Sequence, residues 1–326
     1  MTEIKQPESN ATHQLASLLK AAADPLRLEI LRVLARDSYG VMELAGIFEL
    51  KQSSMSHHLK VLASAGLVAT RREGNSIFYR RGLSTQGQIL AEMQKQLFKS
   101  VDSLDLGEYS QTQLIAVQQE RTAASQRYFS ENATKFREQA DLIASFPVYE
   151  DQVAEVLASI TPKDASIALE LGPGEGELLP LLADKFSTVF ALDNSSAMLA
   201  KSRQLVQSQG LNNVELILGD TRTLSELEIK ADCVMVNMVL HHTPSPAQIF
   251  LELSQAMAAG ATLLVTDLCS HDQSWARDNC GDLWLGFEPE DLSQWAQEAG
   301  LNLGRSLYFA LRNGFQIQIR EFLKPA

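Results

Sequence analysis

The stretch SIALELGPGEGE, residues 166–177, decides the fold of the larger part of this 326-residue chain. Its first six residues are mostly apolar and predict a buried strand. Glycines at positions 172, 174 and 176 follow directly and predict a tight turn that leads into a helix. A buried strand, a glycine-rich turn and a helix, in this order, are typical of the first unit of a nucleotide-binding α/β domain.

Further apolar runs downstream predict the rest of a parallel sheet. Four more strands are expected over residues 189–192, 214–218, 233–237 and 262–267. The segment Arg312-Asn313-Gly314 then predicts a hairpin turn between two closing strands. The fold class expected for this part of the chain is therefore α/β and Rossmann-like.

Asp193 ends the second predicted strand, about 20 residues beyond the glycine turn. A carboxylate at this distance is suited to accept hydrogen bonds from the two hydroxyls of a ribose. The glycine spacing here is GxGxG, whereas nicotinamide-dinucleotide domains have GxGxxG. A dinucleotide site is therefore the weaker alternative.

Residues 165–322 resemble the class I S-adenosylmethionine-dependent methyltransferases in the order of these units and in the closing hairpin. The resemblance implies a seven-stranded sheet with an antiparallel last strand. It also implies a site for S-adenosylmethionine or S-adenosylhomocysteine at the strand ends. In that site the methionine end of the ligand would be held by Glu170, Gly172, Gly174 and Gly176. Asp193 would bind the ribose, Asp220 and Thr221 would face the adenine, and Asn237 would lie near the sulfonium. Asn194 is also assigned to the cofactor site.

The sequence does not define a catalytic base. His241 and His242 follow the fourth strand and are candidates for a base near a transferred methyl group, or they only shape that loop. Methyl transfer needs little beyond orientation, so a missing base does not exclude an enzyme. Trp284 and Phe287 either cover the ligand or pack in the core. No Asn-Pro-Pro-Tyr motif follows the fourth strand, which argues against amino methylation of DNA bases.

The first 85 residues differ in charge from the rest of the chain. They carry 11 Lys and Arg and 8 Asp and Glu, a net charge of +3, although the whole chain has a net charge of −12. A basic segment on an acidic chain is able to approach a phosphate backbone. Asp24-Pro25 predicts a helix start, and two further helical patterns run over residues 41–48 and 52–65, the latter ending before Gly66.

The helix predicted from residue 52 has the chemistry of a DNA recognition helix. Met55, Leu59 and Leu62 form a narrow apolar stripe, and small, hydroxylic and basic residues cover the opposite face. Residues 67–81 predict a β-hairpin with an Arg-Arg pair on each arm, a wing suited to phosphate contacts. A winged helix that binds a protein is the alternative. The residues predicted to contact DNA are Gln52, Ser53, Ser54, Ser56, His57, Lys60, Arg71, Arg72 and Arg80.

Residues 19–81 resemble the ArsR/SmtB family of winged-helix repressors, through the segments LKAAADPLRLEILRVL, QSSMSHHLKVLASAGLV and RREGNSIFYR. The resemblance implies a homodimer that reads an inverted repeat in double-stranded DNA. The family's metal sites do not carry over, because residues 41–44 contain no Cys pair and the helix expected over residues 85–101 contains no His. No metal is therefore expected, and a signal other than a metal ion has to regulate the DNA-binding domain.

The chain is thus expected to be a multidomain protein, with an α+β winged helix-turn-helix domain for DNA binding and dimerisation over residues 1–105. A helical connector over residues 106–160 and the methyltransferase-like domain over residues 161–326 are expected to follow. No apolar run is long enough to cross a membrane, and the N-terminal residues lack the layout of a signal peptide. The three cysteines are too few for a disulfide framework. A cytoplasmic location is the resulting expectation.

Taken together, the two parts resemble proteobacterial regulators of the methionine cycle that respond to S-adenosylhomocysteine. This resemblance implies a repressor whose second domain binds S-adenosylhomocysteine or S-adenosylmethionine and alters the operator affinity of the first. The alternative is an active methyltransferase on a small molecule, with an autoregulatory DNA-binding domain. A scaffold with a vestigial second domain is less favoured, because the cofactor residues are all present.

Overall fold

The computed structural model describes residues 8–73, 76–82, 87–162 and 165–326. The chain divides into two compact units, Met1–Glu120 and Arg121–Ala326. The predicted wing turn at Gly74-Asn75 and the start of the helix predicted after the wing, residues 83–86, lie outside the described residues.

Helices and a small sheet form the N-terminal unit, and they confirm the predicted winged helix-turn-helix. Its elements are α1 (Glu8–Ala22), α2 (Pro25–Val33), β1 (Tyr39–Gly40), α3 (Val41–Ile47), α4 (Gln52–Ser64), β2 (Val68–Glu73), β3 (Ser76–Arg81) and α5 (Gly87–Asp102). The carboxylate of Asp24 accepts a hydrogen bond from the Arg27 N–H at 3.0 Å, which caps α2 as predicted. The three strands pair antiparallel in the order β1-β3-β2.

The apolar stripe of α4 holds this helix in the unit. Met55, Leu59 and Leu62 are all fully buried in its hydrophobic core. Gly66 follows with a φ of +73°, a left-handed conformation in which glycine ends a helix without steric cost. The stripe and the cap together leave the opposite face of α4 in solvent.

Arg81, the last residue of β3, is a structural residue. Its Nε donates to the Leu31 carbonyl at 2.9 Å, and its terminal nitrogens donate to the two oxygens of Asp102 at 3.0 and 2.6 Å. Its guanidinium also lies 4.5 Å from the centroid of the Phe98 ring. These contacts tie β3 to α2 and α5, so one arginine of the predicted wing is used inside the unit.

A long helix and two short ones follow and lead to the second sheet. They are α6 (Glu108–Asn132), α7 (Phe136–Ala140) and α8 (Glu150–Ala158), with 3₁₀ turns at Ala133–Lys135 and Phe146–Val148. The first half of α6 belongs to the N-terminal unit and the second half to the C-terminal unit. The division of the chain at residues 105 and 160 stays a prediction.

The C-terminal unit contains the predicted Rossmann-like sheet. Its strands are β4 (Ile167–Leu171), β5 (Thr188–Asp193), β6 (Val214–Leu218), β7 (Ala231–Asn237), β8 (Met257–Leu268), β9 (Asn302–Ala310) and β10 (Gln316–Leu323). The helices of this unit are α9 (Leu179–Lys185), α10 (Ser196–Gln209), α11 (Thr223–Glu226), α12 (Pro246–Ala256), α13 (Trp275–Cys280) and α14 (Pro289–Glu298).

The strand order is β6-β5-β4-β7-β8-β10-β9. The first five strands of this order are parallel, and β10 runs antiparallel to both of its neighbours. This confirms the seven-stranded sheet and the predicted hairpin, whose turn contains Gly314 at a φ of +91°. The predicted fifth strand was too short, because β8 already begins at Met257, directly after α12.

The parallel strands in the middle of the sheet explain why their sequences are almost entirely apolar. Residues 233–236 of β7 and 263–265 of β8 are fully buried, since helices cover both faces of a doubly wound sheet. Glu170, Asp193 and Asn237 lie at the carboxyl ends of their strands, which share one edge. Within the described residues, we find no helix with the length and apolar character that a bilayer span requires.

Candidate functional sites

The glycine turn after β4 has little space for side chains at its three glycine positions. Gly172, Gly174 and Gly176 have φ values of +65°, +58° and +90°, which favour glycine. A Cβ atom on Gly172 would lie 2.7 Å from a methyl group of Val239, and one on Gly176 would lie 3.1 Å from Leu179. The turn therefore lets the backbone approach a ligand closely.

Glu170 lies at the end of β4, immediately before this turn. Its side chain is 2% exposed, and its Oε2 has no hydrogen-bond partner among the described residues. Burial, and then the charge of Asp193, raise its pKa to about 8. A buried carboxylate without a donor is costly, so this acceptor suits a cationic group of a ligand.

Asn237 ends β7, the strand next to β4. Its Nδ2 donates to the hydroxyl oxygen of Tyr149 at 3.2 Å, and its buried Oδ1 has no partner among the described residues. A second unused acceptor thus lies at the same edge of the sheet as Glu170.

Asp193 ends β5 on the other side of β4. Its Oδ1 accepts a hydrogen bond from the Ser195 N–H at 2.8 Å. Burial raises its pKa to about 6, although backbone hydrogen bonds from Ser195 and Asn194 oppose the shift. Asn194 itself is exposed at the start of the following loop. The ionised form of Asp193 is the one that accepts two hydroxyl groups.

Asp220 and Thr221 follow β6 and already have partners. The Arg222 guanidinium donates to both Asp220 oxygens, at distances between 2.5 and 3.1 Å, and holds the pKa of Asp220 below its usual value. The Thr221 hydroxyl donates to Glu252. Of the Asp220 and Thr221 side chains, only that of Asp220 is partly open to solvent.

The parallel topology brings these residues to one edge. Strands β6, β5, β4 and β7 are neighbours, so their carboxyl ends present Asp220, Asp193, Glu170 and Asn237 in a row. Ligands of open α/β sheets bind in the crevice outside this edge. The structure therefore groups the residues that were predicted separately along the chain.

Sequence reasoning missed the residues that cover the glycine turn. A Cβ atom on Gly174 would lie 3.4 Å from the Phe136 ring. Arg137 pairs with Glu177, and its Nε lies 3.8 Å from Glu175. Tyr149, the partner of Asn237, was also missed. Phe136, Arg137 and Tyr149 come from segments that contain no recognisable sequence motif. The one available sequence signal was the pair of acidic residues in the turn, Glu175 and Glu177, which favours a nearby arginine.

The two histidines after β7 lie in a different environment from that of a catalytic base. His241 is buried, and its Nδ1 lies 2.8 Å from Asp267. Burial alone would lower its pKa, but the charges of Asp267 and Asp282 outweigh burial and raise the pKa to about 9. His241 is therefore protonated at neutral pH. Burial, and then the charge of His241, lower the pKa of His242 well below its usual value, so that ring is neutral.

The two aromatic residues after β8 pack in the core. Trp284 and Phe287 are both buried, and the Trp284 Nε1–H donates to the Thr243 carbonyl at 2.7 Å. The Phe287 ring lies edge-on to Trp295, with 5.3 Å between the centroids. These contacts favour packing over the alternative of a cover for the ligand.

The exposed face of α4 carries most of the residues predicted to contact DNA. Gln52, Ser53, Ser54, His57 and Lys60 are exposed, and Ser56 is half-buried. None of these residues is acidic, so the face presents no charge that repels phosphate. The predicted face and the observed face of α4 agree.

The wing arginines differ from one another. Arg72 is exposed, and Arg80 is half-buried. Arg71 pairs with the buried Glu73 of its own strand, and Arg81 is held by Asp102. Of the four wing arginines, Arg72 is the one whose side chain is exposed to solvent.

Two family models match the chain. Residues 24–70 match "Bacterial regulatory protein, arsR family", and residues 169–265 match "Methyltransferase domain". The fold and sites thus define a winged-helix regulator joined to a class I methyltransferase domain. The chain belongs, through its N-terminal region, to the arsR family of bacterial regulatory proteins.

Individual relatives cover the two regions separately. The biofilm growth-associated repressor of Agrobacterium fabrum is 44% identical over 73 residues, which are 22% of this chain and 62% of the repressor. The transcriptional activator HlyU of Vibrio cholerae is 37% identical over 95 residues, which are 29% of this chain and 86% of the activator. This chain therefore spans less than two thirds of the first of these proteins.

The second region is similar to methyltransferases. The trans-aconitate 2-methyltransferase of Variovorax paradoxus is 32% identical over 123 residues, which are 36% of this chain and 46% of the enzyme. The SAM-bound structure of magnesium protoporphyrin IX methyltransferase from Synechocystis PCC 6803 is 18% identical, with a TM-score of 0.48. The alignment covers 63% of this chain and 97% of that one.

The exposed wing arginine generates the first prediction. Arg72→Ala should weaken binding to a duplex of arbitrary sequence, because it removes a cation that displaces counterions from phosphate. The slope of log K against log salt concentration should fall in magnitude by about one. Anisotropy titrations at several salt concentrations measure this slope. Arg203→Ala, which removes an exposed arginine of the C-terminal unit, is the matched control. Equal slopes for the wild type and Arg72→Ala would remove Arg72 from the interface.

Proposed function

We propose that this protein is a DNA-binding transcriptional repressor whose methyltransferase domain binds S-adenosylhomocysteine or S-adenosylmethionine as an effector. Its targets on this proposal are genes of the methionine cycle. The observation that carries the proposal is the unpartnered, buried carboxylate of Glu170 beside the glycine turn. It occurs in a chain that also has an arsR-type DNA-binding region.

The site chemistry fits the two ends of such a ligand. An amino acid ammonium would give Glu170 the donor it lacks, and Asn237 offers a further free acceptor at the same edge. Asp193 is suited to the two ribose hydroxyls, since its carboxylate lies at the end of β5 with one oxygen held by a backbone N–H.

An effector acts only if it binds two states of the protein with different affinities. The segments that contact the glycine turn follow α6 directly, and Phe129 of α6 lies edge-on to His242 with 4.9 Å between centroids. The same helix begins in the N-terminal unit. We propose that ligand binding changes the packing of residues 121–149 and that α6 carries this change along the chain.

Dimer formation is part of the proposal, because an inverted repeat needs two copies of the recognition helix. Large apolar side chains are exposed on α1 and α5. Leu19 is 49% exposed, Met93 is 39% exposed and Ile89 is 74% exposed. Ile89 and Met93 are four residues apart and share one face of α5. A second copy of this chain would bury them.

Methyl transfer to a small molecule is the second candidate function. It is supported by the 32% identity with a trans-aconitate 2-methyltransferase over 123 residues. Transfer of a labelled methyl group from S-adenosylmethionine to a small-molecule extract would support it. Release of S-adenosylhomocysteine no faster than in a protein-free control would exclude it.

The effector role predicts ligand-dependent DNA binding. An operator selected by the protein from a random duplex library should bind with an affinity that changes at least about fivefold when S-adenosylhomocysteine or S-adenosylmethionine is added. Asp193→Ala should weaken the ligand about 100-fold or more, because two hydrogen bonds to a charged acceptor are lost, and should spare binding to DNA alone.

The matched control for this experiment is Asp184→Ala, which removes an exposed carboxylate of the same unit. It should keep both the ligand affinity and the response. An operator affinity unchanged by either ligand would refute the effector role, even if calorimetry shows that the ligand binds.

The raised pKa of Glu170 predicts that ligand affinity depends on pH. In the free protein its pKa is about 8, and a ligand ammonium would favour the ionised form and lower this pKa. Binding therefore releases a proton below pH 8, so affinity should rise by up to about tenfold per pH unit from pH 6 to 8 and then level off. Calorimetry in buffers of different ionisation enthalpy measures the released proton.

Glu170→Gln should bind more weakly and should lose this pH dependence between pH 7 and 8, where Asp193, with a pKa of about 6, is already ionised. The same slope in the wild type and the variant would show that another group supplies it.

The exposed face of α5 predicts the oligomeric state. Ile89→Glu should shift the protein from dimer to monomer in sedimentation velocity experiments, because a charge would be buried at the interface. Lys95→Glu, on another face of the same helix, should leave the dimer intact. A wild-type protein that is monomeric at micromolar concentration would contradict the proposed dimer.

A further inference from the structure

Two histidines and an aspartate converge in the loop region after β7 and β8. One ring nitrogen each from His241 and His242 and one oxygen of Asp282 lie within 4.8 Å of one another. The His241 Nε2 lies 3.9 Å from Asp282 Oδ1, and the His242 Nδ1 lies 3.7 Å from the same oxygen. Imidazole nitrogens and a carboxylate oxygen are the ligands that zinc and related ions prefer.

Asp282 is the unexplained member of this group. It is 3% exposed, and neither of its carboxylate oxygens has a hydrogen-bond partner among the described residues. The two imidazole nitrogens are too far from Oδ1 to donate a hydrogen bond to it. The nearest cationic side chain is the His241 ring, whose Nε2 lies 3.9 Å from Asp282 Oδ1. A buried carboxylate that accepts no hydrogen bond is costly, and a cation bound directly to it would offset that cost.

The His241 ring is held in the way that metal-binding histidines are held. The His241 Nδ1 lies 2.8 Å from Asp267 Oδ1, and Asp267 also accepts hydrogen bonds from the Leu240 and Leu268 N–H groups at 3.0 and 2.7 Å. The His242 Nδ1 lies 3.2 Å from the Gly281 carbonyl. In His241 the Asp267 carboxylate on Nδ1 orients the ring and leaves Nε2 for a metal ion. In His242 the nitrogen beside the Gly281 carbonyl is the same Nδ1 that faces Asp282, so this nitrogen binds a metal ion in the tautomer that carries the proton on Nε2.

From this arrangement we propose that His241, His242 and Asp282 bind a divalent first-row transition metal ion of the Zn²⁺ type. Two ligands of a tetrahedral zinc ion are about 3.4 Å apart, so the observed 3.7 and 3.9 Å require only a small closure. Asp267 is a positioning residue, which fixes His241 through its Nδ1.

The proposed site differs from the metal sites of arsR-family regulators that the sequence excluded. Those sites need a Cys pair near residues 41–44 or histidines on the helix after the wing. This cluster lies in the C-terminal unit and comes from residues 40 positions apart, so no short motif announces it. Three protein ligands leave one tetrahedral position for water or for an atom of a small molecule.

Charge also favours a cation here. Asp267 and Asp282 both face His241, with a carboxylate oxygen 2.8 Å from its Nδ1 and 3.9 Å from its Nε2, so two carboxylates flank this ring. Arg277 is the other cation whose charge reaches Asp282. The Phe129 ring covers His242, so the site is shielded from solvent on that side, which strengthens the pull of the two carboxylates. This inference does not rest on the identity of the adenosyl ligand.

The test uses the full chain without a histidine tag, stripped with a chelator and dialysed. Competition with a chromophoric zinc chelator should give one tight Zn²⁺ per chain. His242→Ala and Asp282→Asn should each weaken that Zn²⁺ by about 100-fold or more, and Asp267→Asn by about 10–100-fold. Zn²⁺ should raise the melting temperature of the wild type and not that of Asp282→Asn.

Folding and weak surface binding are controlled separately. The metal-free Asp282→Asn variant should melt no lower than the metal-free wild type, since the substitution removes a buried, unpartnered charge. His57→Ala, which removes an exposed histidine of the N-terminal unit, should keep the tight Zn²⁺. A wild type without tight Zn²⁺, or tight Zn²⁺ retained in both His242→Ala and Asp282→Asn, would overturn the proposal, whatever the outcome with adenosyl ligands.

Discussion

The burial of the central strands determines where charged and hydrogen-bonding groups can lie in the C-terminal unit, and it places the buried acceptors at the carboxyl edge of the sheet. Its central parallel strands are apolar because both faces are covered, so charge is admitted only where a strand ends. Glu170 is the extreme case, a buried carboxylate without a donor on Oε2, whose pKa is raised to about 8 by burial and then by the charge of Asp193. Without a ligand this group costs stability at neutral pH, and with a cationic ligand the same desolvation strengthens the interaction.

Sequence reasoning succeeded where a residue's role is set by its neighbours in the chain. The glycine turn needs positive φ at three positions, and only glycine adopts these conformations easily, so the motif itself reports the geometry. The stripe of Met55, Leu59 and Leu62 likewise follows from helical spacing alone. Both features were predicted correctly, together with the five parallel strands along the chain and the closing hairpin.

Sequence reasoning failed where a role is set by a distant contact. The two arginines that end the wing's second arm look alike in sequence, yet Arg81 is bound to Asp102, 21 residues later. Phe136 reaches the glycine turn from a helix that carries no motif. Such contacts depend on tertiary placement, which local spacing does not encode.

The His241, His242 and Asp282 cluster extends the same physical logic to a second place on that edge. Asp267 ends β8 two strands from β4, and it meets the histidines that follow β7. Parallel topology thus concentrates acidic groups at the edge, and among the described residues Glu170 Oε2 and both Asp282 oxygens have no hydrogen-bond donor. On our two proposals an ammonium would satisfy the first of these centres and a metal ion the second, because a desolvated carboxylate favours a cation.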